Sequence, residues 1–319
     1  MKLVDFMPLA EPDRDPYPRF GLLVDDTVVE IGESERGTLT GWLERGMPGL
    51  DDLHALDAAV KAGNLPVLRG HERRTFPLGD VKLLAPVRRP PTVRDFYAFE
   101  QHVKAGNRIR GRDIPDAWYQ IPVFYFSNPG SIIGPDDPVR IPKSSQALDF
   151  ELEVACVIGR AGKDIAAEDA EQYIAGYTIF NDWSARDVQR QEVGVGLGPA
   201  KGKDFAGSLG PWLVTPDELA DRATGRPGVY NLTMTARVNG VERSRGNWAD
   251  LHYSFGEMVA RASADAMLYP GDVIGSGTVG TGCLLELTMG QGPWLRPGDV
   301  VELEIERLGV LRTEVRSAE

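Results

Sequence analysis

Hydrophobic and polar residues change their period several times along this chain. Lys2–Met7 and Phe20–Ile31 are rich in Val, Ile and Leu and read as strands, with Asp25-Asp26 as a turn dividing the second stretch. Leu53, Leu56 and Val60 fall at helical spacing, which predicts a helix over Asp51–Gly63. Ala85–Thr92, Ala-Pro-Val-Arg-Arg-Pro-Pro-Thr, suits neither element and reads as a linker. Beyond it the pattern is mostly β. Strands are expected over Val123–Ser127, Phe150–Ile158, Ala175–Asn181, Leu232–Val238, Leu284–Met289 and Val300–Arg307. Helices are expected over Ala167–Ile174 and Phe255–Ala264. Pro-Gly-Asp-Val occurs at Pro270–Val273 and again at Pro297–Val300, each time as a turn leading into a strand. Many short strands separated by Gly and Pro indicate a barrel-like or sandwich core with helices at its edge. The expected class is α+β, mostly β, with a small N-terminal β-rich domain (1–85) and a larger domain (86–319).

Composition narrows the function. A length of 319 residues suits about two domains. With 42% hydrophobic and 26% charged residues, the chain is an ordinary globular one rather than a disordered one. Asp and Glu number 47 against 35 Lys and Arg, and a net charge of −12 repels phosphate backbones, so nucleic acid is not an expected partner. No apolar run approaches the ~18 residues of a membrane helix, so no membrane partner is expected either. Met1-Lys2-Leu3-Val4-Asp5 turns acidic at once, without the apolar core of a signal peptide. Two cysteines support neither a disulfide framework nor a thiolate zinc site. A cytoplasmic protein is the expectation.

The most informative stretch is Leu148-Asp149-Phe150-Glu151-Leu152-Glu153-Val154. Read as a strand, it puts Glu151 and Glu153 on one face, ~7 Å apart. Two like carboxylates repel unless a cation lies between them, and a hard divalent ion with oxygen ligands would serve. The solvated face of an edge strand would carry the same pair. A third carboxylate, Asp182, lies in Asn181-Asp182-Trp183-Ser184-Ala185-Arg186-Asp187, directly after an apolar run. It could cap a helix, but Trp183, Arg186 and Asp187 beside it suit a site better than a surface.

Leu-Asp-Phe-Glu-Leu-Glu followed by Asn-Asp-Trp-Ser-Ala-Arg-Asp closely resembles the fumarylacetoacetate hydrolase family. Gly198–Phe205 (Gly-Pro-Ala-Lys-Gly-Lys-Asp-Phe), Gly275-Ser276-Gly277-Thr278 and Leu285-Glu286-Leu287 agree, in family order. The similarity runs from about Asp95 to Val315; the first 85 residues match only as a small β domain. The resemblance implies a mixed β-roll catalytic domain, a bound Mg²⁺ or Ca²⁺ (or Mn²⁺), a homodimer, and cleavage of C–C bonds in 1,3-diketo acids or action on related oxo acids. It implies Asp95, Glu151, Glu153 and Asp182 as metal ligands. Arg94–His102 resembles the block in which Tyr97 contacts substrate and His102 is the general base, with Glu286 orienting the histidine. Lys203 would act on the developing oxyanion. Tyr97, Arg110, Tyr125, Arg186, Gln189 and Thr278 would hold substrate. The chain departs from the larger enzymes in being shorter, in a trimmed loop after Thr278 and in lacking a threonine soon after Lys203. Those departures fall on loops that would contact substrate, so they bear on its identity and leave the acidic core intact.

The chemistry of such a cleavage makes the assignments specific. A diketone must be chelated and polarised, water must be deprotonated, and the departing carbanion must be stabilised. Carboxylate-held Mg²⁺ or Ca²⁺ meets the first demand. Four carboxylates against one divalent ion leave excess negative charge, which calls for Arg186 and Lys203 nearby. His102, with Glu286 on its far nitrogen, meets the second. Lys203 and Thr278 meet the third, with Gly202 allowing close approach. His54 falls in the helix of the small module and His71 in a charged loop near the linker; His252 reads as structural, Trp183 and Phe205 as core, and neither Cys156 nor Cys283 as a nucleophile. The glycine-rich stretch before Lys203 lacks the Gly-Lys-Ser/Thr ending of a phosphate loop. The leading expectation is a C–C hydrolase of a small oxo acid. The alternative is a lyase, isomerase or decarboxylase on the same core, of the ureidoglycolate, oxaloacetate or hydroxymuconate type. A binding protein that has kept only the fold is the third reading.

Overall fold

The computed structural model describes residues 1–10, 17–31, 37–65 and 74–318; His71 lies outside them. Among the described residues the backbone is one 12-stranded sheet, a five-stranded sheet and a two-stranded ribbon. The large sheet runs, edge to edge, through Thr75–Pro77, Thr27–Glu30, Arg19–Val24, Lys2–Pro8, Gly207–Val214, Ile174–Asn181, Leu152–Ile158, Val273–Gly275, Val93–Phe96 and Phe124–Ser127. Val81–Leu84 pairs with Lys2–Pro8, and Ile132–Ile133 with Gly207–Val214, beside this path. The N-terminal strands therefore join the rest through main-chain pairing, Lys2 opposite Val214 and Leu3 opposite Leu213. The five-stranded sheet orders Val241–Asn247, Thr233–Val238, Val300–Ile305, Gly309–Arg316 and Val139–Arg140.

Residue pattern explains the layers. Leu152–Ile158 is buried at every position because it has partners on both sides, Ile174–Asn181 and Val273–Gly275. It is an interior strand, so the solvated-edge reading of its acidic residues fails. Glu151 lies just before the strand, and its N–H donates to Asn181 Oδ1 at 2.9 Å instead of entering a ladder. Phe255–Ser263 is helical behind a capping box formed by Ser254 and Glu257, and its buried Phe255, Met258, Val259 and Ala262 follow helical spacing.

Several elements differ from the sequence pattern, Gly207–Val214, Gly309–Arg316 and Arg186–Gly194 among them, and three are instructive. Leu284–Met289 is not a strand; Leu284–Leu287 is a single helical turn, because the Asp149 carboxylate accepts from the N–H groups of Leu284 (2.8 Å) and Leu285 (3.0 Å). Ala167–Tyr173 is a 3₁₀ helix. Glu100–Ile109 is an α-helix that hydrophobic periodicity does not reveal. Its inner face is His102, Val103, Gly106 and Asn107, so most of the stripe that packs inward is polar or small.

A deeply buried carboxyl group sits in the N-terminal part. Asp5 is fully buried; its Oδ1 accepts from Leu39 N–H at 2.6 Å, and its Oδ2 has no hydrogen-bond partner. Burial pushes its carboxyl up from 3.8 to about 7, against the Leu39 hydrogen bond and the Arg88 charge. The fold therefore favours protonated Asp5: this residue's contribution is full below pH 4, is lost as pH rises from about 4 to 7, and is constant above that. Asp5→Asn keeps the acceptor for Leu39 and is expected to be more stable than the parent at pH 8, by about 2–4 kcal/mol at ~1.4 kcal/mol per unit. The gain should vanish near pH 4. Urea titrations of both proteins across pH test this, and parallel stability curves would refute it.

Candidate active site

Four carboxylates from four separate segments converge at one end of the large sheet. Asp95 comes from Val93–Phe96, Glu153 from Leu152–Ile158, Glu151 from the residue before that strand, and Asp182 from the residue after Ile174–Asn181. Each offers an oxygen within 4.8 Å of the others, and all four residues are buried. Val273–Gly275 runs between two of them, antiparallel to Leu152–Ile158 and parallel to Val93–Phe96. Gly275 is required there: a Cβ would stand 2.6 Å from Asp95 Oδ1 and 3.1 Å from Glu153 Oε2. The N–H of Gly277 donates to both carboxylates, at 3.2 and 3.0 Å.

Two cations are folded into the cluster. Lys203 Nζ donates to Glu151 Oε2 and Asp182 Oδ2. Arg186 donates from Nη2 to Glu151 Oε1 and from Nε to Asp149 Oδ2, both at 2.8 Å, and from Nη1 to Gln189 Oε1 at 3.1 Å. Burial works against ionised Glu151, but Lys203 and Arg186 overcome it and hold its carboxyl below the usual range. Asp95 and Glu153 go the other way: burial, then the charges of their fellow carboxylates, push both well up. Asp182 is also raised by burial, despite Lys203, and its Oδ1 is buried without a hydrogen-bond partner. The orphaned oxygen and four crowded hard-oxygen donors fit a divalent cation such as Mg²⁺, Mn²⁺ or Ca²⁺. Asp95, Glu151, Glu153 and Asp182 are the residues that would hold it.

The base candidate stands beside this cluster. His102 Nδ1 meets Glu286 Oε1, and its Nε2 lies 3.9 Å from Glu151 Oε1. Glu286 Oε2 accepts from Thr281 N–H at 3.0 Å, which fixes the carboxylate. The Tyr97 ring meets the His102 ring edge-on, with centroids 5.2 Å apart. Tyr125 donates its hydroxyl to Asp182 Oδ2, and Thr278 Oγ1 lies 3.5 Å from Glu153 Oε1. These groups surround a cavity of about 250 Å³. Of the residues singled out from sequence, all but Asp182 and Glu286 line it; those two lie behind the lining, bonded to Lys203 and His102. Gly202 packs on the helix carrying Arg186 and Gln189, where a Cβ would meet Gln189 Cα at 2.8 Å.

The sequence reading missed one participant, Asp149. Its two oxygens tie Arg186 to the helical turn bearing Glu286, linking the acidic cluster to the histidine pair. The signal was its place in the acidic stretch, read there only as part of a motif. Cys283, expected simply in a turn, lies with its Sγ 3.8 Å from Glu286 Oε1; burial pushes its thiol well up, so it is no nucleophile. Trp183 is core, donating to Ser208 Oγ at 2.8 Å. His252 packs against Trp118, Tyr119 and Tyr253, away from the cavity.

Residues 92–316 match the model of the fumarylacetoacetate hydrolase C-terminal family. The chain belongs to this family. Within the fumarylacetoacetate hydrolase family, it is 35% identical over 280 residues to the human mitochondrial oxaloacetate tautomerase FAHD2A, covering 87% of this chain and 79% of that protein. Its fold matches a 5-carboxymethyl-2-hydroxymuconate delta-isomerase of Mycobacterium smegmatis, at 29% identity and a TM-score of 0.68. It also matches a fumarylacetoacetate hydrolase of Exiguobacterium antarcticum, at 26% identity and a TM-score of 0.74. Both structural matches cover 100% of each chain. The α+β, mostly β class expected from sequence agrees with these folds. Among the described residues, no helix is long and apolar enough to cross a membrane.

Proposed function

We propose that this family member is a metal-dependent enzyme acting on a 2-oxo acid, with His102 moving a proton at the carbon beside the ketone. The observation that carries this is the orientation of His102: Glu286 takes Nδ1, leaving Nε2 toward the acidic cluster at 3.9 Å from Glu151. A divalent cation held by Asp95, Glu151, Glu153 and Asp182 would chelate two substrate oxygens and polarise the carbonyl. His102 Nε2 takes the proton, and Glu286 stabilises the resulting imidazolium. Lys203 spends two of its three N–H groups on Glu151 and Asp182, leaving one for a substrate oxygen that gains charge. Phe124 and Leu285 in the lining restrict water.

If His102 returns the proton to a different atom of the substrate, the reaction is a tautomerisation or isomerisation. This reading needs only the groups above, and the names of the human and M. smegmatis proteins support it. If His102 instead deprotonates a water that attacks a 1,3-diketone, the reaction is C–C hydrolysis, as the sequence motifs lead one to expect. The name of the E. antarcticum structure supports this second reading.

A substrate panel separates them. Metal-stripped protein, with and without Mg²⁺, is mixed with oxaloacetate, acetylpyruvate, fumarylpyruvate and fumarylacetoacetate in H₂¹⁸O, following the enol absorbance and the products. Mg²⁺-dependent keto–enol conversion without cleavage is expected for the first reading, and two acids, one carrying ¹⁸O, for the second. No metal-dependent change with any of the four would overturn the proposal.

A further inference from the structure

A second group of ligating atoms lies behind His102, on the side turned away from the acidic cluster. His102 Nδ1, Cys283 Sγ and a Glu286 carboxylate oxygen all lie within 4.8 Å of one another, and the three side chains are buried. Cys283 and Glu286 are three residues apart, at the start and on the face of the single turn Leu284–Leu287. His102 reaches them from the Glu100–Ile109 helix. One oxygen, Glu286 Oε1, meets both of the others: His102 Nδ1 directly, and Cys283 Sγ at 3.8 Å. Thr281 N–H holds Oε2 at 3.0 Å, which keeps Oε1 turned to the nitrogen and the sulfur. Cys283 has no part in the proton transfers above.

Imidazole nitrogen, thiolate sulfur and carboxylate oxygen together suit a borderline-soft ion, Zn²⁺ above all, whereas the all-oxygen set of Asp95, Glu151, Glu153 and Asp182 suits Mg²⁺ or Ca²⁺. One thiolate is enough when a histidine and a carboxylate complete the set. Bond lengths of ~2.0–2.3 Å in a tetrahedron put neighbouring ligand atoms ~3.3–3.6 Å apart, with the fourth position left to water. The sulfur–oxygen separation of 3.8 Å is already near this. The His102–Glu286 contact has only to open from a hydrogen bond to coordination spacing. Charge also balances. Ionised Glu286, neutral His102 and the Cys283 thiol carry one net negative charge; entry of Zn²⁺ and loss of the thiol proton bring the group to zero, as a buried place requires. The ion is what offsets burial, which by itself disfavours the Cys283 thiolate. Leu287, on the same turn, is exposed, so the group lies just beneath the surface.

We propose that His102, Cys283 and Glu286 form an inhibitory Zn²⁺ site that switches the histidine off. The inhibition rests on the proton-transfer role given to His102 above; the site itself does not. Zn²⁺ bound to Nδ1 replaces the proton that Nδ1 shares with Glu286. The neutral imidazole then carries its one proton on Nε2, the nitrogen 3.9 Å from Glu151. Nε2 has no lone pair left to accept a proton, and Glu286 is spent on the metal instead of on an imidazolium. An ion behind the ring therefore acts on the face turned to the acidic cluster, without competing for the carboxylates there.

Co²⁺ reports the site without turnover, because it accepts the ligands of Zn²⁺ and absorbs in the near ultraviolet when a thiolate binds it. Reduced, Mg²⁺-saturated protein is titrated with Co²⁺, and turnover of the best substrate in the panel is followed against Zn²⁺, for the parent, Cys283→Ser and Cys283→Ala. The parent should develop the thiolate band and both variants should lack it; His102→Ala should weaken and shift it, because a nitrogen ligand is lost. Zn²⁺ should abolish turnover of the parent in excess Mg²⁺. Both Cys283 variants should need at least tenfold more Zn²⁺ for the same loss, while their turnover without Zn²⁺ stays within about twofold of the parent. No thiolate band in the parent, or the same band in both Cys283 variants, would overturn the site. Equal Zn²⁺ sensitivity of parent and variants would overturn the inhibition, since Zn²⁺ would then act at the carboxylates. If no substrate is turned over, the oxo-acid reading fails, and the Co²⁺ spectrum still decides the site.

Discussion

His102→Ala is expected to lower kcat by about 10²–10⁴-fold, the usual worth of a positioned general base. The imidazole is the one group that reaches toward the acidic cluster from the Glu100–Ile109 helix with its other nitrogen already tied to a carboxylate. Its removal leaves the four carboxylates, Lys203 and Arg186 in place, so the variant should bind Mg²⁺ with affinity within a few-fold of the parent. Glu286→Gln should show a smaller loss than His102→Ala, because the ring remains but its tautomer and positive charge lose their partner. Calorimetry for Mg²⁺ and steady-state kinetics on the best substrate provide the two readouts. Parental rates in His102→Ala would remove the histidine from the mechanism. Loss of Mg²⁺ binding together with activity would mean that it supports the acidic cluster instead.

Asp149→Ala carries the largest expected cost in stability, about 3–5 kcal/mol. Asp149 is fully buried and accepts from Arg186 Nε at 2.8 Å, Leu284 N–H at 2.8 Å and Leu285 N–H at 3.0 Å. Alanine would strand part of a buried guanidinium and two helix-terminal N–H groups at once. The helical turn Leu284–Leu287 would lose its N-terminal acceptor, and with it the placement of Glu286 against His102. A lower urea midpoint with unchanged slope, accompanied by reduced kcat, is the expected result. Full activity at parental stability would show that the Arg186–Asp149 pair does not hold the site together.

Much of this site could be read from residue order alone, because the acidic motifs sit on or beside strands that are apolar along nearly their whole length. Leu152–Ile158 and Ile174–Asn181 are apolar enough to declare themselves, and they deliver Glu153 and Asp182. What stayed hidden was local structure governed by distant side chains. Leu284–Met289 has the composition of a strand, and only the carboxylate of Asp149, 135 residues earlier, turns its start into a helix. The Glu100–Ile109 helix was hidden because His102, Gly106 and Asn107 occupy its inner face, so no apolar stripe betrays it. Asp149 itself lay in plain view within the motif, but its role depends on Arg186 and Leu284, and no spacing rule connects those three.

The pairing of Lys2 and Leu3 with Val214 and Leu213 has a consequence for biosynthesis. At ~5–20 residues per second, about 10–40 s separate emergence of the first strand from the ribosome and emergence of its partner. During that interval Lys2–Pro8 can pair only with Arg19–Val24 and Val81–Leu84, and its start remains an uncovered edge. Such an edge invites pairing with another nascent chain. Closure then depends on a contact of very long sequence separation, a slow class of folding event. Translation speed and chaperone supply, rather than final stability, are therefore what should limit the yield of soluble protein in a heterologous host.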